Sequence, residues 1–112
     1  MKRDKVCLVH IAESIDRIEQ YTKSGRTAFM ESSLIQDGVI RNLQTLGQSV
    51  LKISEALKAQ HPGVDWRSIV GFRNVLVHDY LGINLIRVWE IVENDLPDLK
   101  QKITAILKSL ES

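Results

Sequence analysis

Apolar residues return every three or four positions along almost the whole chain, which is the spacing of one helix face after another. Leu8, Ile11, Ile15, Ile18 and Tyr21 mark a first helix, with Asp4 placed to cap its start. The pattern fades at Thr22-Lys23-Ser24-Gly25, a turn signal, and Thr27 can cap the next helix. The longest seam comes next: Ile35, Val39, Leu43, Leu46, Val50, Ile53 and Leu57, closed by His61-Pro62-Gly63. Gly38 and Gly47 lie inside it, each costing about 1 kcal/mol relative to alanine. Gly47 follows Leu46 on the seam, so close approach of another helix is the expected compensation. Asp65 caps a third helix running from Trp66 to about Leu81, where Gly82 stops it; Asn84 starts a fourth. The fourth carries Leu85, Val88, Val92, Leu96, Leu99, Ile103, Ile106 or Leu107, and Leu110, with Pro97 interrupting. Either the helix kinks there or it ends near Glu93 and restarts with Asp95 as cap; the second is expected. No stretch alternates long enough to predict a strand. The fold class is all-α, a four- to five-helix antiparallel bundle forming one domain over 1–112.

Composition narrows the functional classes. Of 112 residues, 37 are Leu, Ile, Val or Phe, which excludes an intrinsically disordered chain. Fifteen basic against fourteen acidic residues give +1, so no polycationic surface announces nucleic acid or membrane. Any RNA would bind through a local site. The single cysteine, Cys7, sits in Val6-Cys7-Leu8-Val9 and reads as a buried helix position. The apolar run after Met1-Lys2-Arg3 breaks at His10 and Glu13, too early for a secretory signal. No stretch approaches the roughly 18 apolar residues of a membrane helix, so a soluble, cytoplasmic protein is expected.

Most catalytic templates are missing: no Gly-rich phosphate loop, no Gly-x-Ser-x-Gly elbow, no His-Glu-x-x-His pair. His10, His61 and His78 fall on different segments without metal-ligand spacing. Asp95 and Asp98 resemble helix-start charges, and Trp66 and Trp89 core anchors. The third helix differs. Its apolar arc holds Phe72, Leu76, Ile69, Tyr80, Val77 and Val70, and Arg73 points into the middle of it. Arg67, Gly71, Asn74 and His78 form a second, polar strip. A guanidinium on an apolar face needs a partner. That partner is an internal carboxylate, a second chain, or an anion such as phosphate in a cleft. A fixed cation five residues from a group that titrates near neutrality suits phosphodiester chemistry.

Arg73-Asn74-Val75-Leu76-Val77-His78 resembles the Arg-x(4–6)-His motif of the HEPN superfamily. Its extension through Asp79 and Tyr80 is similar to the HepT-like branch, the toxin half of MntA–HepT toxin–antitoxin pairs. Arg41-Asn42-Leu43-Gln44-Thr45-Leu46-Gly47 resembles that branch's second long helix, and the stretch from Val88 to Leu99 its C-terminal helices. One position departs: Gln48 stands where relatives often carry glutamate.

The resemblance implies a metal-independent endoribonuclease without cofactor, in which the RNA 2′-hydroxyl attacks its own 3′-phosphate. His78 would move a proton and Arg73 would stabilise the charge growing on phosphorus, with Asn74 and Asp79 supporting. It further implies a homodimer whose cleft combines two such sets, and an MntA-like nucleotidyltransferase antitoxin that transfers AMP to Tyr80. From another class comes a non-catalytic nucleotide-binding or scaffolding partner of such a transferase. A structural helical dimer with a fortuitous motif is the third reading.

Overall fold

The computed structural model describes residues 2–111, except the side chain of Tyr80. Among them the chain forms helices and no strand. These are α1 (Lys2–Tyr21), α2 (Arg26–Glu31), α3 (Ser33–Lys52), α4 (Glu55–Gln60), α5 (Trp66–His78), α6 (Leu85–Glu90) and α7 (Leu96–Glu111). A 3-10 turn spans Tyr80–Gly82, and a π-helical turn, Ile91–Asp95, joins α6 to α7. The all-α bundle is therefore as expected, with α1, α3, α5 and α7 as its long members.

The core lies where α1 packs against α3 on one side and α7 on the other. Leu8, Ile11, Ile15 and Ile18 meet Val39, Leu43, Leu46 and Val50 of α3 and Ile103 and Ile106 of α7, all buried. Each such side chain contributes roughly 1.5–3 kcal/mol on leaving water. Trp66 and Trp89 are buried anchors as expected. The Trp66 indole donates to His61 O at 3.1 Å, and Trp89 donates to Glu93 Oε2 at 3.2 Å. The Trp89 ring packs against Phe29 with centroids 5.4 Å apart. Cys7 is buried and free.

The helix ends depart from the sequence pattern in five places. Asp4 does not cap α1, which already includes Lys2; it is buried and accepts from Ser54 N at 2.8 Å and Ser54 Oγ at 2.6 Å. Tyr21 is not core but 41% exposed. Thr27 lies inside α2, whose start is instead Gly25 at φ +95°, a left-handed conformation suited to glycine. The stretch expected as one helix from Thr27 to His61 is broken twice. Ser32 caps α3 through Ile35 N, and Ser54 caps α4 through Leu57 N. The seam stays buried across the break because Ile53 and Leu57 still face the core. Periodicity follows burial, and a capping serine can redirect the backbone without disturbing it.

Pro97 brings the fifth correction. The helix does not end near Glu93 and restart at Asp95: Glu90, Ile91 and Leu96 all keep right-handed helical dihedrals through the π-helical turn. Leu96 N instead donates to Ile91 O, five residues back. The widened turn absorbs the hydrogen bond that proline cannot make, and Asp95 sits within it. Among the described residues no helix is long and apolar enough to cross a membrane.

Candidate active site

Helix α5 presents the arginine and histidine, and its anchoring explains their geometry. Asp65 caps its start, with Oδ1 accepting from Ser68 N at 3.1 Å and Oδ2 from the Ser68 hydroxyl at 2.6 Å. Those two bonds hold the Asp65 carboxyl below its ordinary range. Trp66 and Leu76 are the helix's buried residues. The helix stops at His78 rather than at Leu81, which is 92% exposed. Asp79 terminates it, and the 3-10 turn headed by Tyr80 comes next.

Arg73 faces α3 and packs on its backbone at Gly47. A Cβ on Gly47 would lie 2.5 Å from Arg73 Cγ and closer still to its Cβ, so the expected close approach is real and involves the arginine itself. The guanidinium then makes two hydrogen bonds. Nη2 donates to Gln48 Oε1 at 2.8 Å and Nη1 donates to Asn74 Oδ1 at 3.0 Å. Arg73 Nε is buried without a partner among the described residues. Leaving such a donor unmade costs about 1–3 kcal/mol, more when it belongs to a charged group. Among the described residues no carboxylate pairs with Arg73. Of the three partners open to it, the internal carboxylate is thereby removed: neutral amides hold a cation whose charge is not cancelled.

His78 lies five residues on, about 140° around the helix at 100° per residue, and is exposed. Asn74 stands between them, one turn before His78 and bonded to Arg73. Arg73 and His78 thus project about 140° apart on α5, with Asn74 between them and Asp79 immediately beyond His78. The Tyr80 side chain lies outside the described residues. A cleft of about 540 Å³ opens along another face of α5, lined by Leu43, Leu46, Phe72, Asn94 and Leu96 among others. Neither Arg73 nor His78 lines it.

Sequence reasoning did not single out Gln44, whose Nε2 donates to Leu76 O at 3.1 Å. Its spacing from Gln48, four residues along α3 and hence on the same face, was the available signal. Val75, Val77, Leu81 and Ile86 are exposed around the motif end, and a Cβ on Gly71 would meet nothing within 4 Å. Among the described residues no group of three or more His, Cys, Asp or Glu could hold a metal ion.

The chain as a whole has counterparts among known proteins. The family model described as "Ribonuclease HepT-like" matches residues 11–106. The chain belongs to this HepT-like ribonuclease family of the HEPN superfamily. It is similar to a probable ribonuclease HepT of Thermococcus cleftensis, 34% identical over 110 residues, covering 96% of this chain and 100% of that one. It is also similar to an mRNA nuclease HepT of Shewanella oneidensis, 28% identical over 120 residues, covering 86% and 90%. A Methanocaldococcus jannaschii protein named "Gamma-glutamylcyclotransferase and putative RNase" is 34% identical over 113 residues, 99% of this chain. The chain spans 51% of that relative's length. No solved structure matches.

Proposed function

We propose that this protein is a metal-independent endoribonuclease, the toxin of a toxin–antitoxin pair, cutting RNA with Arg73 and His78. The observation that carries the reading is Arg73: a half-buried guanidinium gripped by two amides and matched by no carboxylate among the described residues, five residues before the exposed His78 on the same helix. Such a cation is completed by a phosphate oxygen. The RNA 2′-hydroxyl attacks the adjacent phosphorus as His78 moves a proton. The P–O5′ bond breaks, leaving a 2′,3′-cyclic phosphate and a free 5′-hydroxyl. Arg73 holds the non-bridging oxygens as their charge grows, and Asn74 keeps the guanidinium and phosphate aligned.

The reaction needs both an acid and a base, and α5 supplies one histidine. A homodimer joining two α5 ends answers this, and the exposed Val75, Val77, Leu81 and Ile86 around the motif favour such a surface. Control of the toxin falls to an MntA-like nucleotidyltransferase that transfers AMP from ATP to the Tyr80 hydroxyl, releasing pyrophosphate. The added phosphate places negative charge two residues from His78 and excludes RNA.

The test is cleavage of RNA by the purified chain with chelator present, beside His78→Ala. Cleavage should fall by roughly 10²–10⁴-fold in the variant, with melting temperature unchanged and cyclic-phosphate ends on the wild-type products. Wild-type protein of unmodified mass that binds RNA and cuts none would replace the nuclease with a binding module.

A further inference from the structure

We infer that Gln44 and Gln48, two amides one turn apart on α3, are positioning residues for this site. Gln48 holds the Arg73 guanidinium without cancelling its charge, and Gln44 holds the end of α5 that carries His78. The inference rests on the nuclease reading of Arg73 and His78 and says what keeps them in place.

Gln48 Oε1 takes one Nη2 hydrogen at 2.8 Å. The opposite nitrogen, Nη1, is fixed by Asn74 at 3.0 Å, so the plane of the guanidinium is set from both ends. Gly47 supplies the space: only a residue without a Cβ lets the Arg73 stem lie against α3 at a point where Gln48 can reach its head. The amide oxygen acts as an oriented acceptor that fixes the guanidinium head, a part that a carboxylate oxygen at the same position also fills.

Gln44 acts on the other end of the motif. Leu76 O is among the last four carbonyls of α5, which have no acceptor role inside the helix. Gln44 Nε2 bonds that carbonyl from α3 at 3.1 Å, two residues before His78. The final turn of α5 is thus tied across to the long core helix, and the His78 backbone with it.

The experiment compares wild type, Gln48→Leu, Gln48→Glu and Gln44→Leu. It combines steady-state RNA cleavage with NMR of the Arg73 guanidinium and the His78 ring, and melting temperatures show that each variant is folded. Gln48→Leu should free guanidinium rotation and lower kcat about tenfold with little change in KM. Gln48→Glu, which keeps an acceptor oxygen at this position, should hold the guanidinium and keep kcat within about threefold of wild type. Gln44→Leu should free the last turn of α5, read as faster His78 ring motion by NMR, and lower kcat with little change in KM. If Gln48→Leu fails to fold, Gln48→Met takes its place.

Unchanged guanidinium motion in Gln48→Leu overturns the role of Gln48 in holding Arg73. A guanidinium as mobile in Gln48→Glu as in Gln48→Leu overturns the role of the acceptor oxygen. Unchanged His78 ring motion and kcat in Gln44→Leu overturn the role of Gln44. Should the wild type cut no RNA, the nuclease reading fails by itself, and the two NMR measurements still decide whether the amides hold these side chains.

Discussion

Helices α3 and α5 pack side by side, yet they divide the protein's tasks. Helix α3 buries Val39, Leu43, Leu46 and Val50 in the core formed with α1 and α7. Helix α5 buries Trp66 and Leu76 among its thirteen residues, and leaves Val75 half exposed. One helix is held by what it hides; the other is held along a single stripe and shows the rest. The stripe is polar where it matters, since Gln44 and Gln48 reach across to Leu76 O and Arg73. Stability in this fold is concentrated in α1, α3 and α7, and chemistry sits on a helix docked against that core. Changes in the two regions should therefore separate stability from activity.

The largest stability effect is expected in the core. Phe29 is fully buried against Trp89, and Phe29→Ala should cost about 3–5 kcal/mol, a large part of the stability of a domain this size. Chemical denaturation measures that loss. Cleavage per folded molecule should stay near wild type, and a matching fall in specific activity would erase the division between the regions.

Gly47→Ala strikes the contact between them. The new methyl group overlaps the Arg73 stem, so α5 must shift, at about 1–3 kcal/mol. Activity should drop further than this stability loss explains, because the displaced atoms belong to the catalytic side chain. Retained cleavage with unchanged denaturation would mean that Arg73 does not need its seat on α3.

The smallest effect belongs to Asp4, far from the motif in sequence and tying α1 to the α4 cap. Burial opposes its charge, but the Ser54 hydroxyl and N–H, with Arg3 nearby, hold its carboxyl below the ordinary value of 3.8. A lowered folded value contributes stability that is complete above the unfolded value and disappears as pH falls through the folded one. Asp4→Asn should thus cost about 1 kcal/mol near neutrality, and the gap to wild type should close in acid. Urea midpoints at neutral and acidic pH measure both, with cleavage at neutral pH unaffected.

Much of this architecture is legible in the chain itself. The buried positions of α1, α3 and α7 follow the three- and four-residue spacing, and the Asp65 and Asn84 caps fall where the pattern puts them. Gly47 announces a close helix contact because glycine has no other use on a buried seam. The breaks are less visible. Ser54 splits a continuous apolar seam because Asp4, fifty residues away, bonds its N–H and hydroxyl, and no local window contains that partner. The π-helical turn before Pro97 escapes for a related reason: helical dihedrals persist while the hydrogen bonds slip by one residue. In the site, Arg73, Asn74 and His78 stand out by residue type and spacing on one helix. Gln48 stands out only as a departure from the family pattern and Gln44 only by its spacing from it; that they reach Arg73 and Leu76 O depends on how the helices pack.

The sequence by itself determined the helical class, the apolar faces and the position of the motif, because these depend on side-chain period and on residues a few positions apart. Only the tertiary structure decided what Arg73 faces. Its partner is chosen by how α5 docks on α3, and that docking placed Gly47 beneath its stem and a neutral amide, not a carboxylate, at its head. Charge compensation depends on distances across the fold, and those exist only once the helices have packed.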